Sequence, residues 1–399
     1  MPASPVEVEF VVHEIGHEDR WTPIARFTPE AAAEMWAAQP HITCCTLQAG
    51  FLIGVDGEPW NLNAIDEISM ARTWLSATTQ IFAGYPRVSV WAWEESSMQL
   101  TCRDEVLDAF DVHHSGHIVC PRIRLPLRPF ARALAEAGSA AGVWFEAVLA
   151  HARSQGADEL VRVLEGQLAG DWRELGQTLL EAAEGPIAPS PPNASGPLPE
   201  VLICAKLRDL DGLERALATS PPPELGPHDK TYEGTSPLHA AIQSRWVEGG
   251  ARLLAAGAPL DVVDSLGFTP LQQAARLTEP ARGPLVAHLR AAGAVVDPIS
   301  ACLLDAPEEL KARAEEGIVD AEALNWWVAY SAHQPELLRD EWVEAWTAAL
   351  AAGMSLKGPT GRGIGGWSGT PYDQAVEADN REAAVILRRL GAPHSPTET

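Results

Sequence analysis

The chain has 399 residues, 54 of them acidic and 29 basic, for a formal net charge of −25 and 46% hydrophobic content. That hydrophobic share excludes global disorder, and the length suits two or three domains with a sizeable core. The acid excess runs along the whole chain, with a pI near 4.8. It argues against nucleic acid and anionic membrane as partners and for another protein, a basic one.

The start, MPASPVEVEF, has neither a basic n-region nor an apolar h-region, and no run of about 18 uninterrupted apolar residues appears anywhere. A cytoplasmic protein is expected. Scarce Lys beside abundant Arg and Ala reads as the habit of a GC-rich bacterial source. Six Cys, at 44, 45, 102, 120, 204 and 302, show no CxxC spacing and sit mostly in apolar runs, which predicts reduced core thiols.

In chain order, VEVEFVV predicts a strand, followed by His13, Glu14, Ile15, Gly16 and His17, an HExxH pattern. Zinc peptidase chemistry needs that run on a helix, so that both imidazoles face one metal while Glu14 polarises water. β-branched alternation before it and Gly16 after it predict a strand and a turn instead, which splays the imidazoles. The long metzincin form also fails, because Arg20 and Pro23 stand where a Gly and a His are needed.

TPIARF, ITCCTL, RVSVWAW, EVLDAFDV and HIVCPRIRL are further strand signals, and FLIGVDGEPWNL predicts a hairpin turning at Asp56 and Gly57. AIDEISMARTWLSATTQIF carries Ile65, Ile68, Leu75, Thr78 and Phe82 at helical spacing. The cluster His113, His114, His117 and Cys120 offers zinc-ligand types, but HHSGH fits a hairpin loop with Ser115 and Gly116 at its tip. Glu94 and Glu95 are adjacent in a strand and so face opposite sides, whereas Trp91 and Trp93 share a core face.

From Pro129 to Glu184 the pattern is helical: PFARALAEA, GVWFEAVLAHARSQ, ADELVRVLEGQL and WRELGQTLLEAA. GPIAPSPPNASGPLP, residues 185–199, forbids helix and ladder alike and predicts a linker. The expected organisation is an α+β domain over 1–128, a helical extension over 129–184, the Pro-rich linker and a second domain over 200–397.

The second half carries GTSPLHAAIQSRWVEGGARLLAAGAPLDVVD from Gly234, GFTPLQQAA from Gly267, LRAAGA from Leu289, and SGTPYDQAV with LRRLGAP near the end. Pro237 and Pro270 are 33 residues apart, and the interval from the helix-starting Pro to the closing Gly is 20 in both Pro237/Gly257 and Pro371/Gly391. These residues resemble the ankyrin-repeat family, and the resemblance implies an all-α solenoid of about six units, some degenerate. Each unit is a turn and two helices too small to bury its own apolar face, so stability comes from stacking. The motif residues serve that geometry: Thr269 and Pro270 start a helix, Leu238 and Leu271 enter the core, and Ala241, Ala274 and Ala275 allow close approach. Gly257, Gly293, Gly353 and Gly391 end second helices in the left-handed conformation. His239 matches the motif histidine, but Gln272 and Asp373 replace it later, so the turn-stabilising bonds there differ or are lost. GRGIGGWSG lacks a GKS or GKT ending and is no phosphate loop.

In this family the finger tips bind other proteins, which places partner contacts on Lys230, Tyr232 and Glu233, on Ser265, Leu266 and Phe268, and on Arg362, Ile364 and Trp367. No GxSxG, GxGxxG or nucleophilic Cys/His pair appears, and no cofactor, metal or catalytic residue is expected. The expected function is non-catalytic protein binding, of the kind an immunity or regulatory protein provides against a basic partner. The alternative is an effector enzyme with a zinc-dependent N-terminal domain targeted by its repeats.

Overall fold

Val6 to Val12 pair in register with Val55 to Ala49, so the first predicted strand lies at the centre of a sheet. The computed structural model describes residues 6–13, 21–39, 49–55, 58–61, 68–91, 96–113, 118–167, 172–192, 194, 196–219, 236–264, 266–331, 339–356 and 370–392. The chain is mostly helical and divides into two units, Met1–Asp209 and Leu210–Thr399.

Among the described residues the first unit holds two four-stranded antiparallel sheets. One has the order β2 (Trp21–Pro23), β1 (Val6–His13), β3 (Ala49–Val55), β4 (Glu58–Asn61); the other runs β5 (Arg87–Trp91), β6 (Ser96–Arg103), β7 (Val106–His113), β8 (Ile118–Pro126). TPIARF is only partly strand, since Ile24–Arg26 turn as a 3-10 helix before α1 (Pro29–Ala37). ITCCTL falls in 41–48, outside the described residues. The helix α2 (Ile68–Phe82) buries Leu75, Thr78 and Phe82, matching their spacing.

Two predicted helices, PFARALAEA and GVWFEAVLAHARSQ, are one: α3 runs unbroken from Leu127 to Ser154. Its small residues do not break it because tertiary packing uses them. A Cβ on Gly138 would lie 2.8 Å from Leu75 Cδ1, and one on Gly142 would lie 2.9 Å from the Trp172 Cβ of α5 (Trp172–Glu184). Packing of this kind outweighs an intrinsic helix cost of about 1 kcal/mol per Gly. Among the described residues α3 is the one helix long and apolar enough to cross a membrane, and half of that stretch is buried inside the unit.

The boundary expected at 128/129 is not a boundary of the core. Phe10 of β1 meets Phe51 of β3, Phe145 of α3 and Trp172 of α5 edge-on, with ring centroids 5.2, 5.5 and 5.4 Å apart. Sheet and helices thus share one aromatic nucleus, which also includes Trp144 and Trp36 at 5.9 Å.

The described residues of the 185–199 segment are irregular, as Pro and Gly dictate, but they are fastened to the first unit. Ala188 N donates to Phe82 O at 2.8 Å, Leu198 N donates to Thr101 Oγ1 at 2.9 Å, and the Arg128 guanidinium donates to the carbonyls of Ala183 and Gly185. At the far end Arg122 donates to both carboxylate oxygens of Glu200, at 2.6 and 2.7 Å, and to Asp108 at 2.7 Å. Glu200 opens α6 (Glu200–Leu207), so the division falls after Asp209, ten residues later than composition indicates.

The second unit begins with α7 (Leu210–Thr219) and continues in pairs: α8 (Pro237–Gln243) with α9 (Val247–Ala255), α10 (Pro270–Ala275) with α11 (Arg282–Ala291), α12 (Pro298–Leu303) with α13 (Pro307–Glu315). Then follow α14 (Ala321–Ser331) with α15 (Asp340–Ala351) and α16 (Pro371–Glu377) with α17 (Arg381–Arg389). First helices pack in succession, α8 on α10, α10 on α12, α12 on α14 and α14 on α16. Gly257, Gly293, Gly353 and Gly391 all have positive φ, and Gly317 joins them at +79°. In each case the next amide reaches back to close the helix, as in Ala258 N to Leu253 O at 3.0 Å. α14 and α15 bury Trp327, Trp342 and Trp346 together, with centroids 5.7 to 6.1 Å apart, so a unit without the motif still has a core.

Candidate interaction surface

The best-defined surface element is the segment between α9 and α10. Asp264, nearly buried, accepts the N–H groups of Leu266 and Phe268, each at 2.9 Å, and the Gln273 side-chain amide at 3.4 Å. Asp264 N donates in turn to Phe268 O at 2.9 Å, and Gly267 takes φ +84° at the bend. Thr269 then caps α10 reciprocally: its hydroxyl accepts from Gln272 N at 3.3 Å, while Gln272 Oε1 accepts from Thr269 N at 2.9 Å. A carboxylate that accepts three N–H groups braces Leu266 and Phe268 against the start of α10.

At its tip Leu266 is 56% exposed and Val263 52%. Phe268 is the correction: expected on the surface, it is only 8% exposed. Its ring packs edge-on to Trp326 of α14 at 5.1 Å, and the Arg276 guanidinium lies 4.3 Å from its centroid and 5.2 Å from that of Trp326. The turn at Gly267 sends residue 268 back toward the body. Connections 294–297 and 318–320 are too short for fingers and leave Phe268 and Trp326 free to meet. Lys230, Tyr232, Glu233, Ser265, Arg362, Ile364 and Trp367 lie outside the described residues.

The motif position occupied by His, Gln and Asp in turn is served differently each time. His239 is fully buried, with Nδ1 2.9 Å from Ser236 Oγ and Nε2 3.0 Å from Phe268 O. A carbonyl only accepts, so Nε2 carries the proton and Nδ1 accepts from the serine hydroxyl. Burial lowers the His239 pKa below its ordinary value, opposed by the Asp264 charge and the bond to Phe268 O. Gln272 reaches forward to Asp297 Oδ2 at 3.1 Å, and Asp297 caps α12 through Ser300 N at 2.8 Å. Asp373 closes a capping box with Thr370. The bonds differ, and none of the three positions is idle.

His13 is the last residue of β1, paired with Trp21, so the HExxH run begins on a strand; Glu14 and His17 are outside the described residues. His113 ends β7 and Cys120 lies on β8, which pairs antiparallel with it, while His114 and His117 are outside the described residues. Burial pushes the Cys102 thiol up to about 11 and the Cys204 thiol up to about 12, which leaves both protonated and unreactive at neutral pH. Sequence reasoning missed Asp264, whose signal was available in the spacing Asp264-x-x-Gly267-x-Thr269-Pro270. It also missed Arg276 and Trp326, for which no local pattern exists.

No family model and no curated protein matches the chain. Similar solved structures include the human ASB11 ankyrin repeat domain, 20% identical over 48% of this chain and 84% of that one, with a TM-score of 0.29. The ankyrin repeat protein EF0377 is 18% identical over 48% of this chain and 98% of its own, with a TM-score of 0.29. A structure of the predatory endopeptidase Bd0816 from Bdellovibrio bacteriovorus in complex with the immunity protein Bd3460 is 17% identical over 48% and 97%, with a TM-score of 0.28. About half of this chain resembles ankyrin-repeat proteins, as its own 33-residue period and left-handed helix-closing glycines do.

Proposed function

We propose that this chain is a non-catalytic protein-binding module of the bacterial cytoplasm, in which an acidic ankyrin solenoid follows an α+β unit and captures a basic protein partner. The carrying observation is the turn braced by Asp264, which presents Leu266 and Val263 to solvent. Apolar side chains held on a braced backbone lose little entropy on docking, which is what an interface anchor requires. The net charge of −25 supports the choice of a basic partner, since dispersed negative charge accelerates capture of a cation.

The test is capture of a partner by the full chain, followed by association rates against salt. Leu266→Asp together with Val263→Asp should weaken capture without moving the melting temperature, because neither side chain is buried. The on-rate should fall as the Debye length shortens from about 30 Å at 0.01 M to about 8 Å at physiological salt. A salt-independent on-rate would remove the case for a basic partner. Capture that survives deletion of residues 210–399 would move the function to the first unit.

A further inference from the structure

The guanidinium of Arg276 sits in a corner made by two aromatic rings, 4.3 Å from the Phe268 centroid and 5.2 Å from the Trp326 centroid, with the rings at 76° to each other. Among the described residues no oxygen accepts a hydrogen bond from its side chain and no carboxylate pairs with it. Elsewhere the guanidinium groups of Arg122, Arg128, Arg290 and Arg339 each find a carboxylate.

The corner is built in advance. Phe268 is pinned on both backbone atoms: its N–H donates to Asp264 Oδ1 at 2.9 Å, and its carbonyl accepts from Asp264 N at 2.9 Å and faces His239 Nε2 at 3.0 Å. Trp326 is 6% exposed and set in α14. Gln273, one helical turn before Arg276 on the same face of α10, is held by Asp264. Ring faces attract the cation and fix its plane, while the in-plane N–H edge of a stacked guanidinium stays available for a bidentate acceptor. Aromatic walls also exclude water, which strengthens an ion pair formed there.

We propose that Arg276 anchors a carboxylate site, in which one Asp or Glu side chain of the protein partner docks bidentately on the guanidinium between Phe268 and Trp326. The proposal rests on the protein-binding reading above and deepens it. The acidic surface draws in a basic partner, and Arg276 sets the register by binding a single acidic residue of that partner. Like-charge repulsion would reject a carboxylate placed against most of the remaining surface, so the site selects position as well as charge.

The experiment uses the nitrogen-15-labelled full chain and the Nε–Hε resonance of Arg276, assigned by its loss in Arg276→Lys. Acetyl-Gly-Glu-Gly-amide should shift that resonance saturably, and acetyl-Gly-Gln-Gly-amide should not. Phe268→Leu or Trp326→Leu, with folding checked by melting, should weaken the titration several-fold. Arg276→Gln should weaken capture of the partner about tenfold or more, the change expected for one lost charge-assisted pair. An unsaturated shift, or an equal shift at Arg381, whose side chain is 88% exposed, would overturn the site. Full-strength capture by Arg276→Gln would also overturn it while leaving the protein-binding reading standing. A saturable titration with no partner captured would do the reverse.

Discussion

His239 Nε2 faces the carbonyl of Phe268 at 3.0 Å, 29 positions along the chain, and so ties the first helix of one pair to the finger of the next. The same imidazole meets the Ser236 hydroxyl through Nδ1, so both ring nitrogens are used inside a dry site. Replacing His239 with Leu should destabilise the second unit by about 2–3 kcal/mol, because the serine hydroxyl loses its acceptor and a carbonyl lone pair is left unpaired. Denaturant unfolding of the variant measures this.

The same residue sets a pH dependence. Burial lowers the folded-state pKa of His239, so below its ordinary value of 6.5 the unfolded chain binds more protons than the folded one. The stability tied to the neutral ring is complete above that value and is lost as pH falls from there through the depressed pKa. Melting should therefore drop between pH 7.5 and pH 5.5, and His239→Gln should flatten the drop, since Gln bears no titrating proton.

Arg122 is the clamp that holds the start of α6, through two bonds to Glu200 and one to Asp108. Glu200→Gln should cost about 1–3 kcal/mol and raise amide exchange in residues 201–207 above that in the α3 core. The Arg122 hydrogen bond holds the Glu200 carboxyl below its ordinary 4.5. Its contribution is thus present above about that pH and fades as pH falls through the lowered pKa. Unaltered exchange in α6 would show that the clamp carries no stability.

Gly84 lies directly under the 185–199 segment, with φ +91°, and a Cβ there would meet Pro189 O at 2.5 Å and Ala188 O at 2.8 Å. Both atoms are backbone, so Gly84→Ala must displace the segment. We expect a loss of more than about 1 kcal/mol and faster exchange at Ala188 N, whose bond to Phe82 O is 2.8 Å.

Two substitutions in the same repeat should act in opposite directions. Gly257 has φ +85° with open space around a Cβ, so Gly257→Val should cost more than about 1 kcal/mol from backbone strain alone. Arg245 sits at φ +54° between α8 and α9, where Trp246 N donates to Ala241 O at 2.8 Å. Arg245→Gly should stabilise by up to about 1 kcal/mol, because glycine adopts that conformation without a Cβ penalty. Melting curves of the two variants on either side of wild type would confirm both assignments.

Features that depend on local periodicity and backbone chemistry are readable from the order of residues. Pro237, Pro270 and Pro371 start helices behind Ser236, Thr269 and Thr370, and the glycines after the second helices take left-handed φ, because caps, φ limits and steric bans act within a few residues. Strands β1, β7 and β8 were legible for the same reason. The tertiary structure alone decided that Gly138 and Gly142 join two predicted helices rather than part them, since only contact with Leu75 and Trp172 makes a missing Cβ favourable. It alone turned the 185–199 segment from a spacer into a fastened strap, through donors on Arg128 and acceptors such as Thr101 that lie far away in sequence. It also withdrew Phe268 from the surface and set Arg276 against it, because Trp326, two helix pairs on, supplies the second wall of that corner.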